Sequence, residues 1–74
     1  MRKYVVLFEK SRTGYGAYSP DVPGCVAVAK TLKQTRALMQ EALELHLKSM
    51  REDGDPIPEP AHVAAEMMEV RIGI

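Results

Sequence analysis

The sequence predicts an α+β domain of order β-β-β-α-β, a four-stranded mixed sheet of strand order 3-2-1-4 with one long helix packed on one face. Three observations predict it. Residues 3–9 and 25–30 alternate in strand fashion, residues 32–52 repeat apolar side chains at helical spacing, and residues 67–74 return to alternation after a run of prolines.

The first strand, residues 3–9, is rich in β-branched and aromatic side chains. Tyr4, Val6 and Phe8 point to one face and Val5 and Leu7 to the other, as in a strand covered on both sides. Ser11-Arg12-Thr13-Gly14 is polar and ends in a glycine free to take positive φ, so the chain reverses there and lays Tyr15 to Ser19 antiparallel to the first strand. Pro20 and Pro23 cannot donate ladder hydrogen bonds, and Pro23-Gly24 suits the centre of a type II turn, so the second strand ends before them. Cys25, Ala27 and Ala29 then alternate with Val26, Val28 and Lys30. The small side chains give this third strand a face that a helix can approach closely.

Thr31 with Gln34 three residues on reads as a capping box, the threonine oxygen accepting from the Gln34 amide and the glutamine side chain reaching back to the Thr31 N–H. Projected as a helix, Leu32, Leu38, Met39, Ala42, Leu43, Leu45 and Met50 fall on one half, while Lys33, Gln40, Glu41, Glu44, Lys48, Arg51 and Glu52 share the other. Gly54 is placed to close the helix in a left-handed conformation, and Pro56, Pro58 and Pro60 prevent its continuation, making Asp53–Pro60 a stiff connector. Ala61–Glu66 is read as a short helical turn. Met68, Val70, Ile72 and Ile74 alternate with Met67, Glu69, Arg71 and Gly73 as a final strand. A right-handed crossover lays that strand parallel to the first, which yields the order 3-2-1-4 and leaves one sheet face without a helix, an apolar surface of the kind that serves association.

The totals narrow the function. Seventy-four residues make one domain, spanning 1–74, and a chain this short buries a small core, so oligomerisation or a partner is expected. Ten basic and ten acidic residues give no net charge, which removes the broad electrostatic footprint of a phosphate-binding protein. Cys25 is the only cysteine, so neither an intramolecular disulfide nor a cysteine-only metal cage can form. With no signal-like segment and no apolar run near the roughly 18 residues of a membrane span, the expectation is a cytoplasmic protein.

Several pieces in order carry a family resemblance: Gly14-Tyr15-Gly16-Ala17-Tyr18-Ser19-Pro20-Asp21-Val22-Pro23-Gly24-Cys25, then Thr31, then Glu41-Ala42-Leu43-Glu44-Leu45, then Asp53-Gly54-Asp55-Pro56-Ile57-Pro58-Glu59-Pro60. This succession resembles the HicB-like antitoxin domain over nearly the whole chain. It implies a partly degraded RNase H-like fold and a role in covering a HicA-type mRNA-cleaving toxin as part of a type II toxin–antitoxin system. The chain departs from the family pattern at Ala29-Lys30, where members often have Gly-Asp, and at Gln34-Thr35, where an acidic residue and alanine are usual. Many members also carry a C-terminal DNA-binding domain, which does not follow within these residues. Direct operator binding by this chain is therefore not expected.

Candidate reaction centres are few. A metal-dependent nuclease needs several converging carboxylates, and the strands and their turns offer Glu9, Asp21 and Glu69. Cys25, opening a small-residue strand face, reads as a buried thiol and not a nucleophile. His46 projects into the apolar half of the helix, and His62 follows the prolines at no defined distance from it. Asp53, Asp55 and Glu59 lie on a proline-stiffened path and not in a loop that could wrap calcium. The expectation is therefore no catalytic residue, no metal and no cofactor. Tyr15, Tyr18 and Asp21 are the partner-binding candidates, in a homo-oligomeric antitoxin that blocks its toxin sterically. The alternatives are an orphan oligomeric scaffold of the same family and a residual metal-dependent nuclease.

Overall fold

The computed structural model describes residues 2–73. Strands β1 (Leu7–Lys10), β2 (Tyr15–Tyr18) and β3 (Val26–Ala29) form one antiparallel sheet in the order β1-β2-β3, followed by helix α1 (Leu32–Glu52). In register, Phe8, Ala17 and Ala27 lie side by side across the sheet, and so do Leu7, Tyr18 and Val26. The first row belongs to the helix-facing side and the second to the opposite face, because side chains alternate along each strand.

Helix α1 rests on β3 and β2. It can do so because those strands offer it alanine and cysteine: Ala17, Cys25 and Ala27 are buried, and with Val22 and Met39 they make the core. Met39 is 1% exposed and sits where the flexible thioether fills the space between the small residues. Tyr4, Val6, Ala42, Leu43 and Leu47 pack around it.

The turns and caps follow the sequence closely. The Thr31 side chain accepts from the Gln34 amide at 3.1 Å, one of the two bonds of the expected box, while the return bond from the Thr31 N–H to the Gln34 side chain is not formed among the described residues. One turn later Thr35 is completely buried, its hydroxyl donating to the Thr31 carbonyl at 2.8 Å with the Tyr15 carbonyl a longer second acceptor at 3.4 Å. At the other end Gly54 takes φ of 77°, its amide donates to Arg51 and that of Asp55 to Met50. Those two bonds form a Schellman cap, which satisfies two carbonyls the helix would leave open. Between β2 and β3 two turns run in succession, closed by Val22 N–H to Ser19 and Cys25 N–H to Val22, with Gly24 at φ of 84° behind Pro23.

Four expectations need correction. The first strand is shorter than residues 3–9, because its partner β2 runs only to Tyr18 and the chain turns away at Pro20, leaving nothing for residues before Leu7 to pair with. The mixed four-stranded sheet of order 3-2-1-4 is not formed. Among the described residues, 55–73 hold no regular secondary structure, so the sheet is three-stranded and antiparallel, and the helical turn over Ala61–Glu66 is absent as well. Ile74, the last residue of the expected strand, lies outside the described residues. The physical reason is tethering: the Pro58 carbonyl accepts from the Tyr4 hydroxyl at 2.6 Å, Glu59 pairs with Arg2 at 3.2 Å, and residues 61–62 are bonded to Asp21, so the segment is committed to other partners before its alternating part begins.

Gly14 is the fourth. It does not take positive φ. A side chain is excluded for a different reason, since a Cβ there would lie 2.3 Å from the Ala29 carbonyl oxygen. Gly16, one pair along, would place a Cβ 3.9 Å from its nearest neighbour, an ordinary contact. Gly14→Ala should therefore destabilise the fold by about 1–3 kcal/mol, the usual cost of forcing extra atoms into a packed site. Gly16→Ala should be neutral or slightly stabilising through reduced unfolded-state entropy. Urea denaturation of both variants checks this, and equal effects would contradict the close-approach explanation.

Candidate protein-interaction surface

The face of the sheet turned away from α1 is open. Tyr18 is 36% exposed, Val26 63% and Val28 73%, with Leu7 and Val5 half-buried beside them. Alternation produces this directly: every small residue of β3 that lets the helix approach forces a valine outward. Glu9 is the charged group on this face of β1, in register with Gly16 and Val28. Apolar patches of this kind on a small domain mark association sites.

The three residues singled out in the sequence are not gathered at one place. Tyr18 is on the open face. Tyr15, three residues earlier and therefore on the opposite side by alternation, is half-buried on the helix side, and its carbonyl faces Thr35. Asp21 has its carboxylate 7% exposed and turned to the chain itself. One oxygen accepts from the Ala61 amide at 3.0 Å and the His62 amide at 2.9 Å, and the other accepts from His62 Nδ1 at 2.8 Å. This clamp joins positions about forty residues apart, and nothing in the local sequence pattern announced it beyond an aspartate between two prolines.

The groups weighed for chemistry are also dispersed. Glu9 lies on the open face, Asp21 in its clamp and Glu69 on the exposed C-terminal segment, and among the described residues no three His, Cys, Asp or Glu side chains are placed to hold a metal ion. Cys25 and His46 border the same shallow hollow beside α1, yet no hydrogen bond joins them among the described residues, and burial pushes the Cys25 thiol up, away from the reactive thiolate. His62 is engaged by Asp21, not by His46.

A three-stranded antiparallel sheet carrying one helix on one face and bare apolar side chains on the other defines a small α+β domain whose most prominent surface suits association. The chain belongs to the HicB-like antitoxin family of bacterial toxin–antitoxin systems, whose family model matches residues 4–71. It is 31% identical over 74 residues to a UPF0150 protein of Archaeoglobus fulgidus, covering 96% of this chain and 99% of that one. It is 36% identical over 55 residues to an uncharacterized 14.9 kDa protein in the rep-hol intergenic region of Haemophilus phage HP1, covering 74% of this chain but 41% of the phage protein, so it spans about two fifths of that relative's length. Among solved structures it is similar to a chain of the HicA3 and HicB3 toxin-antitoxin complex, with a TM-score of 0.70 and 27% identity over 81% of this chain and 70% of that one.

The clamp gives a pH dependence. Hydrogen bonds from the His62 amide, its ring and the Ala61 amide hold the Asp21 carboxyl below the usual aspartate range. A carboxyl lowered in the folded state contributes stability that is complete above the unfolded value of about 3.9 and lost as pH falls through the lower folded value. The Ala61 and His62 amide resonances should thus titrate together with a midpoint below about 3.9, and Asp21→Asn should abolish that titration. A ¹H–¹⁵N pH series reads both, and a midpoint at or above the ordinary aspartate value would rule the clamp out.

Proposed function

We propose that the chain is the antitoxin-like binding module of a type II toxin–antitoxin system, covering a HicA-type mRNA interferase so that RNA cannot reach it. The observation that carries this reading is the likeness to a chain of a HicA3–HicB3 complex, together with family membership over residues 4–71. The open sheet face supports it physically. Tyr18 offers a rigid amphipathic anchor, and Val26 and Val28 beside it supply apolar area that loses water on docking, the composition found at the centres of protein interfaces.

On this reading the action is steric and calls on no catalytic group, metal or cofactor. The chain works in the cytoplasm, where mRNA is the toxin's substrate, and as a homo-oligomer, because its own core is small. Tyr18 makes the toxin contact, while Asp21 acts indirectly by fixing residues 61–62, and Tyr15 supports the strand from beneath. Zero net formal charge supports a chain that meets protein and does not itself hold DNA. The scaffold is read as the surviving part of an RNase H-like sheet and helix.

Val26→Asp with Val28→Asp places two charges on the open face without touching the core. Losing the burial of two valines removes about 1.5 kcal/mol or more each, so binding to the HicA-type toxin should weaken by roughly a hundredfold. Growth rescue on co-expression and protection of RNA from cleavage should fail together, with the far-ultraviolet circular dichroism unchanged. Undiminished toxin affinity in the folded variant would sink the assignment of this face.

A further inference from the structure

The open sheet face is not the only apolar surface without a cover. Because α1 rests over β2 and β3, the helix-side residues of β1 border a groove instead of lying beneath the helix. Val6, Phe8, Leu32 and Met39 line it, Lys33 and Arg36 form its rim, and its volume is about 670 Å³. It continues along the helix past Leu43 to Leu47.

The same chain carries a segment that matches it. From Ala61 to Gly73 every residue is exposed, including Val63 at 91%, Met67 at 100%, Val70 at 77% and Ile72 at 90%. This arm leaves the body where Asp21 holds residues 61–62, and it does not fold back. The radius of gyration is 14.6 Å, against about 11 Å for a compact chain of this length, and the longest dimension is 53 Å although a helix the length of α1 measures roughly 31 Å.

We propose that residues 63–72 of one copy of the chain lie in the β1–α1 groove of a second copy, so that two copies exchange arms. This is a contact between chains, not a fourth strand of the single-chain sheet, and it rests on the reading of the protein as a homo-oligomer. Length, chemistry and charge agree. The groove from Leu32 to Leu47 runs about 22 Å along the helix, and ten extended residues reach roughly 30 Å. Met68, Val70 and Ile72 share one side of an extended arm and meet an apolar groove floor. Glu66 and Glu69 outnumber Arg71 on the arm, while Lys33 and Arg36 stand on the rim, and among the described residues none of these charges is in an ion pair. A basic partner protein would meet that rim with like charge, which favours the arm as occupant.

The test uses the full chain alone, without toxin. In a mixture of ¹³C-labelled and unlabelled copies, isotope-filtered NOEs should connect methyl groups of Met68, Val70 and Ile72 with Leu32 and Met39 of the other copy. Light scattering should give a dimer or a multiple of it. Val70→Asp with Ile72→Asp, both at exposed positions, should raise the dissociation constant at least tenfold with circular dichroism unchanged. Arg36→Glu should weaken association and Glu69→Lys should restore it in that background. A monomeric wild-type chain, contacts found only within one copy, or an arm that becomes ordered only when toxin is added would each overturn the proposal. Because no toxin is present, failure here leaves the antitoxin reading standing. Conversely, a wild-type oligomer with exchanged arms that does not protect RNA would defeat that reading and not this one.

Discussion

The close approach of α1 to β2 and β3 is the constraint on which the other features depend. Helix and sheet can draw together only where the facing side chains are small, and Ala17, Cys25 and Ala27 supply that surface while Met39 fills what remains. The consequences spread outward. Alternation in β3 turns Val26 and Val28 to the far face, and the bulkier Phe8 of β1 and Val6 just before it border the helix. Two surfaces therefore result from one packing choice, one on each side of the sheet.

The polar bonds near this contact keep it in place more than they add to its strength. Thr35 is buried at the first turn of the helix, but its hydroxyl is satisfied by the Thr31 carbonyl, so burial there does not incur the penalty of an unpaired donor. The Ser19 hydroxyl is different: it is buried without a hydrogen-bond partner among the described residues, beside the two successive turns that bring β2 round to β3. Those turns set the spacing between strands, and Val22, 1% exposed at their centre, ties them to the core.

Local chemistry was legible in the sequence and long-range commitment was not. The Thr31 cap, the Pro23-Gly24 turn, the Gly54 terminus and the hairpin all depend on residues within a few positions of one another, and each is formed where the pattern placed it. The last segment shows the opposite case. Alternation of Met68, Val70 and Ile72 records that one side of an extended chain is apolar, but it does not say which edge is within reach. That was decided by Tyr4, Arg2 and Asp21 holding residues 58–62. The interaction candidates divide the same way: Tyr18 follows from alternation in β2, whereas the engagement of Asp21 with a histidine forty-one positions away has no local signature. Gly14 is a similar case: the sequence shows a glycine's freedom to take positive φ, but not the Ala29 carbonyl on another strand that excludes a side chain there.

The Asp21 clamp also acts as a mooring. Without it the C-terminal segment would be tethered last at Pro58 and Glu59, by Tyr4 and Arg2; with it the last tether is at His62. The free chain leading to Val70 is thereby shortened from roughly eleven residues to eight, which in polymer terms changes the entropy of reaching a fixed point by only about 0.3 kcal/mol. So small a term adds little to affinity. What the mooring governs is bearing: it selects the sector of space that the apolar segment can sweep, and hence the side from which any neighbouring molecule first encounters it.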